Sequence, residues 1–558
     1  MNRPKAAPTE GSGRTMWPTL IAMTLAASMI LVDQTAVPLA SPDAIHDLHG
    51  SLDEGQWLLT ANILPLAAFM VFGGKLGDLL GLRRVFLAGA VIFMGATVMA
   101  GIAQDMAWML SARVVQGIGA ACMMPTSVAI VSAVAPEDRR GMALGVLAGG
   151  SAFFAALGPV LGGVLTSVDW RLVFLINVPL AAGAILLTLS SCPPLPALAK
   201  GRVRDLDFAG MVTLALGAGL LLFGTSQAGD VGFDDPVVIG PILGALLSFG
   251  AFAVIELRIE DPLIDFRLFG HDNFLASNIS QFLSGAVELG MGFLLPFVLL
   301  LVIGVGPVAA GIALIPATVP IILAGPLAGR AFDRIGGRVP LVVGFLVLAA
   351  SGVALAVGVG DQSAVALIPG LALQGLGLGI VLTVNDPVGL NAVPERDRGR
   401  AAGMINTSEQ LGGALGISIL LAIELGWYRH QLDVKLAERG INPTEQQIAD
   451  VKNFVLESEQ KGLKNVDESA TVHSVIGILA DAHVAGFRLA FLVAACIALL
   501  GAAISFVLVR KEDRVSPHGP TFRRSRWRVW ATRREEPQDE PAADAPRLPA
   551  TPPPNPPR

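Results

Sequence analysis

The chain has 558 residues, of which 53% are hydrophobic and 15% are charged, and its mean hydropathy is +0.63. Because soluble globular proteins carry about 25% charged residues, this composition excludes a string of ordinary soluble domains and indicates a membrane protein. The net charge is −6, and nothing in the pattern of charges suggests binding to nucleic acid. Cys122, Cys192 and Cys496 are too scattered for a metal or redox site.

Fourteen apolar segments are each long enough to cross a bilayer, which takes about 20 residues in a helix. They predict an all-α polytopic membrane protein. The first segment is too long for a cleavable signal peptide and is followed by no cleavage site. In chain order the segments are 17–40, 56–72, 85–102, 107–133, 141–166, 171–189, 207–227, 237–257, 272–301, 308–328, 340–359, 363–384, 401–422 and 485–508.

Basic residues lie almost entirely on alternate connections between these segments, and this asymmetry predicts the orientation. The even-numbered connections carry sixteen Lys and Arg residues, whereas the short odd-numbered connections carry none. Since basic loops stay in the cytoplasm, we expect a multi-pass protein of the cell membrane with both termini cytoplasmic. The sixteen are Lys75, Arg83, Arg84, Arg139, Arg140, Lys200, Arg202, Arg204, Arg258, Arg267, Arg330, Arg334, Arg338, Arg396, Arg398 and Arg400.

One charged turn occurs twice, 255 residues apart, and each copy reads Gly-x-x-x-Asp-x-x-Gly-x-Arg. The first copy contains Gly74, Gly77, Asp78, Gly81, Arg83 and Arg84, and the second contains Gly329, Asp333, Gly336 and Arg338. A polar turn repeated between apolar segments predicts a duplicated bundle, an arrangement common among secondary transporters. The copies fall on connections 2 and 10, so we expect two helices inserted between two six-helix halves.

This organisation gives five regions. They are a cytoplasmic N-terminal tail at 1–16, a six-helix bundle at 17–189, linkers and inserted helices 7 and 8 at 190–271, a second six-helix bundle at 272–508 with an outer loop at 423–484, and a basic Pro-rich cytoplasmic tail at 509–558. The outer loop is expected to hold a surface helix at 446–463. The tail is either disordered or an anchor on anionic lipid.

Five motifs in order resemble the major facilitator superfamily, and within it the 14-span drug/proton antiporters such as the QacA-like and EmrB-like exporters. Besides the repeated turn, they are Asp33-Gln-Thr35 in span 1, Arg113-Val-Val-Gln116-Gly in span 4, Gly158-Pro159-Val-Leu-Gly162-Gly163 in span 5, and Asp169-Trp-Arg171 before span 6. The resemblance implies alternating access in a monomer. Its partners would be a small-molecule substrate, protons and membrane lipids, with no cofactor beyond the proton-motive force.

The resemblance also implies roles for two motifs. The repeated turn, including Asp78, Asp333 and Arg338, would be a charged latch that closes the cytoplasmic side; the alternative is a positive-inside loop in which Asp78 caps the next helix. The antiporter motif, Gly158, Pro159, Gly162 and Gly163, would bend span 5 and limit leak. Its alternative is ordinary helix packing.

Ionisable residues at membrane depth are few, and each is a functional candidate because burying a charge there is costly. Asp33 is the first choice for proton coupling, unless it is permanently paired with a neighbour. Arg113 would line the central cavity with Gln116, unless it reaches out to the interface. Glu288 is the second carboxylate candidate and faces either the cavity or a buried partner. Asp386 and Glu409 are further carboxylates whose roles stay open.

The leading functional prediction is a proton-coupled exporter of amphipathic small molecules such as drugs, antibiotics or biocides. The alternative is a dedicated exporter of one self-made metabolite or lipid, and a remote alternative is a sensor or enzyme on the same fold. No phosphate-binding Gly-Lys-Ser/Thr loop, metal cluster or catalytic triad spacing is visible, so we expect neither ATP drive nor enzyme activity.

Overall fold

A computed structural model describes residues 12–50, 52–136, 139–195, 207–232, 234–259, 262–393, 398–438 and 470–510. Within these ranges the chain forms sixteen α-helices and no strand, and all of them belong to the compact unit Met1–Gly519. Fourteen helical segments are long and apolar enough to cross a membrane, which confirms the predicted all-α, fourteen-span architecture. The predicted surface helix at 446–463 and the tail from 511 lie outside the described residues.

The first nine helices form the N-terminal half and the inserted pair. They are α1 Ser12–Asp47, α2 Leu52–Leu80, α3 Leu82–Gly101, α4 Met106–Val134, α5 Arg140–Thr166, α6 Arg171–Leu175, α7 Asn177–Ser191, α8 Phe208–Val231 and α9 Pro236–Glu256. Span 6 is therefore divided between α6 and α7. The helices α8 and α9 pack on each other and correspond to the two spans that we predict to be inserted between the halves.

The C-terminal half contains the remaining helices, α10 Asp272–Phe297, α11 Pro307–Ala313, α12 Ile315–Ile335, α13 Arg338–Gly358, α14 Ala364–Asn391, α15 Arg398–Glu438 and α16 Ala470–Leu508. The last two run about four turns further into the predicted outer loop than hydropathy indicated. Apolarity marks only the part of a helix that faces lipid, so it misses polar turns that continue the same helix beyond it.

The duplication is visible in the backbone of both charged turns. Gly81 ends the turn after α2 with φ of 98°, and Gly336, 255 positions later, follows α12 with φ of 81°. A side chain is rarely tolerated at such a positive φ, so glycine is required at both positions.

A second repeat holds neighbouring helices together. The sequence Gln-Gly-x-Gly begins at Gln116 in α4 and again at Gln374 in α14. A methyl group at Gly117 would collide with the Asn62 carbonyl oxygen of α2, and one at Gly375 would collide with the Ala317 carbonyl oxygen of α12. The halves therefore share the same close backbone packing, which small residues permit in membranes.

The inserted pair lies against both halves. Helix α8 packs on α2 and on α15, and the rings of Phe72 and Phe208 meet at 5.3 Å between centroids. The halves also contact each other directly through α2 with α15 and α5 with α11.

Candidate functional site: two polar clusters at the interface of the halves

A buried ion pair lies at the centre of the N-terminal half. Arg113 of α4 donates from Nη1 to Asp33 Oδ2 of α1 at 2.6 Å, and the two side chains are 0% and 1% exposed. Arg113 also donates from Nε to the Leu58 carbonyl of α2 at 2.5 Å. The guanidinium is thus held inside the bundle, and the alternative that Arg113 reaches out to the interface does not hold.

Gln116 completes this cluster. Its Oε1 accepts a hydrogen bond from Arg113 at 2.5 Å, and its amide nitrogen donates to Thr97 Oγ1 at 3.1 Å and to Asp33 Oδ1 at 3.3 Å. Four helices, α1 to α4, therefore meet in one hydrogen-bonded network. Because the charges of Asp33 and Arg113 cancel at contact distance, the cluster carries ionised groups at depth without net charge.

A different cluster occupies the C-terminal half. Gln281 of α10 donates from Nε2 to Glu409 Oε2 of α15 at 2.6 Å and accepts at Oε1 from Asn385 of α14 at 2.5 Å. Asn385 also donates to the Ser277 carbonyl at 3.0 Å, and the Ser277 hydroxyl donates to the Asn385 carbonyl at 3.0 Å. Helices α10, α14 and α15 are joined by this network.

Glu288 lies beside this network but is not held by it. Its Oε2 is buried and has no hydrogen-bond partner. Gly285, one turn earlier on α10, abuts the backbone of Glu409, which brings Glu288 and Glu409 onto the same α10–α15 seam. None of the ion pairs among the described residues includes Glu288, Asp386 or Glu409.

The clusters meet across the boundary between the halves. Gln34, the neighbour of Asp33, donates to Gln410 Oε1, the neighbour of Glu409, at 3.2 Å, and both side chains are buried. Gln410 and Thr97 were not among the predicted site residues because neither belongs to a motif. The available signal was a neutral polar residue within an apolar helix, which is weak by itself.

The charged turns are placed differently in the two halves. Asp78 is half-buried on the last turn of α2, and Gly81 occupies the N-cap position of α3. Both roles of Asp78, latch and cap, stay predictions. Arg83 donates to the Leu189 carbonyl at the end of α7 at 2.8 Å, and Arg84 is exposed. In the second copy Asp333 is exposed, and the Arg338 guanidinium lies 4.4 Å from the centre of the Phe506 ring.

The antiporter motif lies between two neighbours of α5. Added methyl groups at Gly158 and Gly162 would collide with Thr35 and Ala36 of α1, whereas one at Gly163 would collide with Pro307 of α11. Reciprocally, Gly311 of α11 abuts the Pro159 carbonyl. The motif therefore seats α5 on its own half with one set of glycines and on the opposite half with another.

Two helical halves that face each other across a polar centre within fourteen apolar spans define a membrane transporter. The sequence profile of the Major Facilitator Superfamily matches residues 22–417, and the chain belongs to that family. It is a multi-pass membrane transporter rather than an enzyme. The superfamily resemblance is thereby confirmed, while the roles of individual site residues stay predictions.

Curated relatives cover most of the chain. It is 30% identical over 515 residues to the tetracenomycin C resistance and export protein of Streptomyces glaucescens, covering 91% of this chain and 94% of that protein. It is 30% identical over 451 residues to the puromycin resistance protein pur8 of Streptomyces alboniger, covering 79% and 87% respectively. Over 441 residues it is 29% identical to the multidrug resistance protein Stp of Mycobacterium tuberculosis, covering 78% and 81%.

Solved structures agree on the fold. A bacterial homologue of the human lysosomal transporter Spinster, in an inward-facing unoccupied conformation, matches with a TM-score of 0.60 at 16% identity, covering 92% of this chain and all of that one. An autoinhibited peptide transporter matches with a TM-score of 0.59 at 13% identity, covering 91% and 99%.

Proposed function

We propose that this protein is a proton-coupled antiporter that exports amphipathic small molecules across the cell membrane, with both termini in the cytoplasm. The observation that carries the proposal is Glu288, a carboxyl group with a buried, unpartnered oxygen beside a second carboxyl group, Glu409, at the boundary between the two halves. The export proteins and resistance proteins among its relatives support antibiotics as the substrate class.

The C-terminal cluster is the proposed site of proton exchange. A buried carboxyl group without a cationic partner is most easily accommodated in its neutral, protonated form. Proton binding from outside would neutralise Glu288 or Glu409, and entry of a cationic or polar substrate from inside would displace the proton. The amide of Gln281 holds Glu409 in place for this exchange at 2.6 Å.

The N-terminal cluster has another role in this proposal. Asp33 is paired with Arg113 at 2.6 Å, so Asp33 is expected to hold the geometry of α1 to α4 rather than to carry the proton itself. The Gln34–Gln410 bond transmits changes in the C-terminal cluster to α1, because the neighbours of the two amides belong to the two clusters. Alternating access follows if protonation alters this contact between halves.

Closure of one side of the boundary rests on backbone contacts. At the ends of α5 and α11 that are predicted to face outside, Gly163 meets Pro307 and Gly311 meets Pro159. Opening the outer side requires α5 and α11 to separate. The charged turns lie on the opposite, predicted cytoplasmic side, between α2 and α3 and between α12 and α13.

The direct test uses purified protein in proteoliposomes with an imposed pH gradient and a panel of amphipathic dyes and antibiotics. Uphill movement of at least one compound should require the pH gradient and stop when a protonophore dissipates it. Transport that persists unchanged without the gradient would contradict proton coupling.

The same panel addresses the dedicated exporter, which is favoured by relatives described as exporting a single antibiotic, among them a probable actinorhodin transporter. Movement of several unrelated compounds supports the multidrug function. Movement of one compound alone, with the others neither moved nor competing, supports the dedicated exporter.

Orientation has its own test. Asp234 and Arg258 are exposed at opposite ends of α9. In intact cells a membrane-impermeant thiol reagent should label Asp234→Cys, and it should label Arg258→Cys only after permeabilisation. The reverse pattern would invert the proposed topology.

A further inference from the structure

Two acidic side chains are buried together at one end of the inserted helices, away from the central clusters. Asp207 precedes α8 and Glu256 ends α9, and they are 4% and 3% exposed. One oxygen of each has a donor: Asp207 Oδ1 accepts from the Gly210 amide at 2.7 Å, and Glu256 Oε2 accepts from the Ile264 amide at 3.4 Å. Asp207 Oδ2 and Glu256 Oε1 are buried without any donor.

These two remaining oxygens face each other. A Cβ atom added at Gly210 would collide with Asp207 Oδ2 and would lie 2.9 Å from Glu256 Oε1. Both oxygens therefore line the same small space. Two ionised carboxylates offer only acceptors and would repel each other in a buried site. A single hydrogen between the two oxygens satisfies both and removes one of the charges.

Among the residues that the structure describes, the other charged groups nearby do not supply a counter-charge to the pair. Lys75 of α2 donates to the Pro262 carbonyl at 2.7 Å, Arg258 and Arg267 are exposed, and Asp265 accepts from the Arg267 amide at 3.0 Å. No ion pair among the described residues includes Asp207 or Glu256. No third His, Cys, Asp or Glu of the described chain joins them in a metal-binding group, so the geometry favours a proton over a metal ion.

The pair lies where three parts of the protein meet. The Ile264 amide bonds to Glu256, the neighbouring Pro262 carbonyl accepts from Lys75 in the first charged turn, and the connection then leads into α10. Phe208, next to Asp207, packs on Phe72 of α2. Residues 262–271 are thus attached on one side to the inserted pair and on the other to the charged-turn helix α2.

We propose that Asp207 and Glu256 form a second proton-binding site, which holds one proton between two carboxyl groups and, through the Ile264 amide, fastens residues 262–271 to the end of α9. Loss of the proton leaves two facing carboxylates, which separate and release the Ile264 amide. This site is distinct from the proton exchange of the central clusters, and the inserted helices thereby respond to pH on the side of the charged turns.

The direction of the pH effect follows from proton counting. Separated carboxyl groups in the unfolded chain lose their protons above about pH 5. The folded pair keeps one proton beyond that pH, so the folded state binds more protons and its stability falls as pH rises. Glu256→Gln offers a permanent N–H donor to Asp207, so it should mimic the protonated pair at every pH.

Hydrogen exchange on the full-length protein in lipid nanodiscs tests this without any transported substrate. Peptides that contain Ile264 are followed by mass spectrometry from about pH 6 to about pH 8, with rates corrected for the intrinsic pH dependence of amide exchange. Wild-type protection should fall about tenfold across this range, because a difference of one bound proton changes the ratio of attached to released connection about tenfold per pH unit and acts over about one of the two units. Glu256→Gln should remain protected throughout, and the control Asp265→Asn, on the same connection, should follow the wild type.

Several results would overturn the proposal. One is hydrogen-exchange protection at Ile264 that does not change with pH in the wild type. Another is a pH dependence of this protection that is the same as in the wild type in both Glu256→Gln and Asp207→Asn. Recovery of wild-type protection at high pH on adding Mg²⁺ or Ca²⁺, absent in Glu256→Gln, would assign the pair to a cation. If Glu256→Gln fails to fold, Asp207→Asn, which retains a side-chain acceptor for the Gly210 amide, decides the question.

Discussion

In the N-terminal half Asp33 is bound to Arg113, whereas Glu288, 255 positions further along and at the same offset as the two charged turns, has no cationic partner among the described residues. The position related to Arg113 in the C-terminal half does not hold a basic residue either. Leu371 stands 258 positions after Arg113, the offset that also relates Gln116 to Gln374. The duplicated halves have kept their glycine packing and lost the symmetry of their charges.

The difference teaches how one duplicated scaffold can divide two tasks. A buried pair of opposite charges is costly to form but stays ionised once formed, because each charge stabilises the other. A buried carboxyl group without such a partner changes protonation more readily. The N-terminal half is therefore suited to hold a fixed geometry, and the C-terminal half to exchange protons.

Arg113→Leu breaks the comparison most severely, because it gives the N-terminal half the residue found at the related position of the other half. Asp33 would be left buried without its counter-charge, and losing one partner of a buried pair costs about 3–5 kcal/mol. Thermal melting of the purified protein should show a large loss of stability. The double variant Arg113→Leu with Asp33→Asn should recover most of it. An Arg113→Leu variant that melts like the wild type would show that the pair is not a structural element.

The glycine contacts should behave alike in both halves. Gly117→Ala and Gly375→Ala each force a methyl group into a carbonyl oxygen of a neighbouring helix, and overpacking of this kind costs about 1–3 kcal/mol. Melting temperatures should fall by similar amounts in the two variants. Gly95→Ala in α3 is the control, since nothing lies within 4 Å of the added methyl group. A loss confined to one half would mean that packing has diverged along with charge.

Substitutions in the two charged turns should affect transport to different extents, and these effects should be smaller than that of Arg113→Leu on stability. Asp78 is half-buried and Asp333 is exposed. Asp78→Asn should slow transport about tenfold, equivalent to about 1.4 kcal/mol, at normal expression, whereas Asp333→Asn should change it less than about twofold. Initial rates of dye efflux, normalised to the amount of protein in the membrane, provide the measurement. Equal effects of the two changes would argue against an unequal latch.

The fold was accessible from the sequence because membrane spanning leaves a strong signal. Length of apolar segments gave fourteen spans, and the repeated turn gave the duplication. Helix ends were less accessible, since α15 and α16 continue through residues such as Arg429 and Asp481 that hydropathy counts as loop.

The site was accessible only in part. Motifs identified Asp33, Arg113 and Gln116, but they are up to 83 positions apart, and the sequence alone left open whether Asp33 was paired. Gln410 and Thr97 carry no motif, and their importance appears only when helices distant in the chain are packed together. Asp207 and Glu256 lie at the ends of spans, where acidic residues are usually exposed to solvent, so the sequence gives no sign that these two are buried.

The central claim is that the proton is exchanged in the C-terminal half while Asp33 stays paired with Arg113. Its most direct test measures proton release from purified protein in weakly buffered detergent solution when it binds a lipophilic cationic dye that the wild type exports. Wild-type protein and Asp33→Asn should both release protons on binding, whereas release should be lost in Glu288→Gln or in the double variant Glu288→Gln with Glu409→Gln. Undiminished release from that double variant, together with its loss in Asp33→Asn, would contradict the account and place the proton in the N-terminal half.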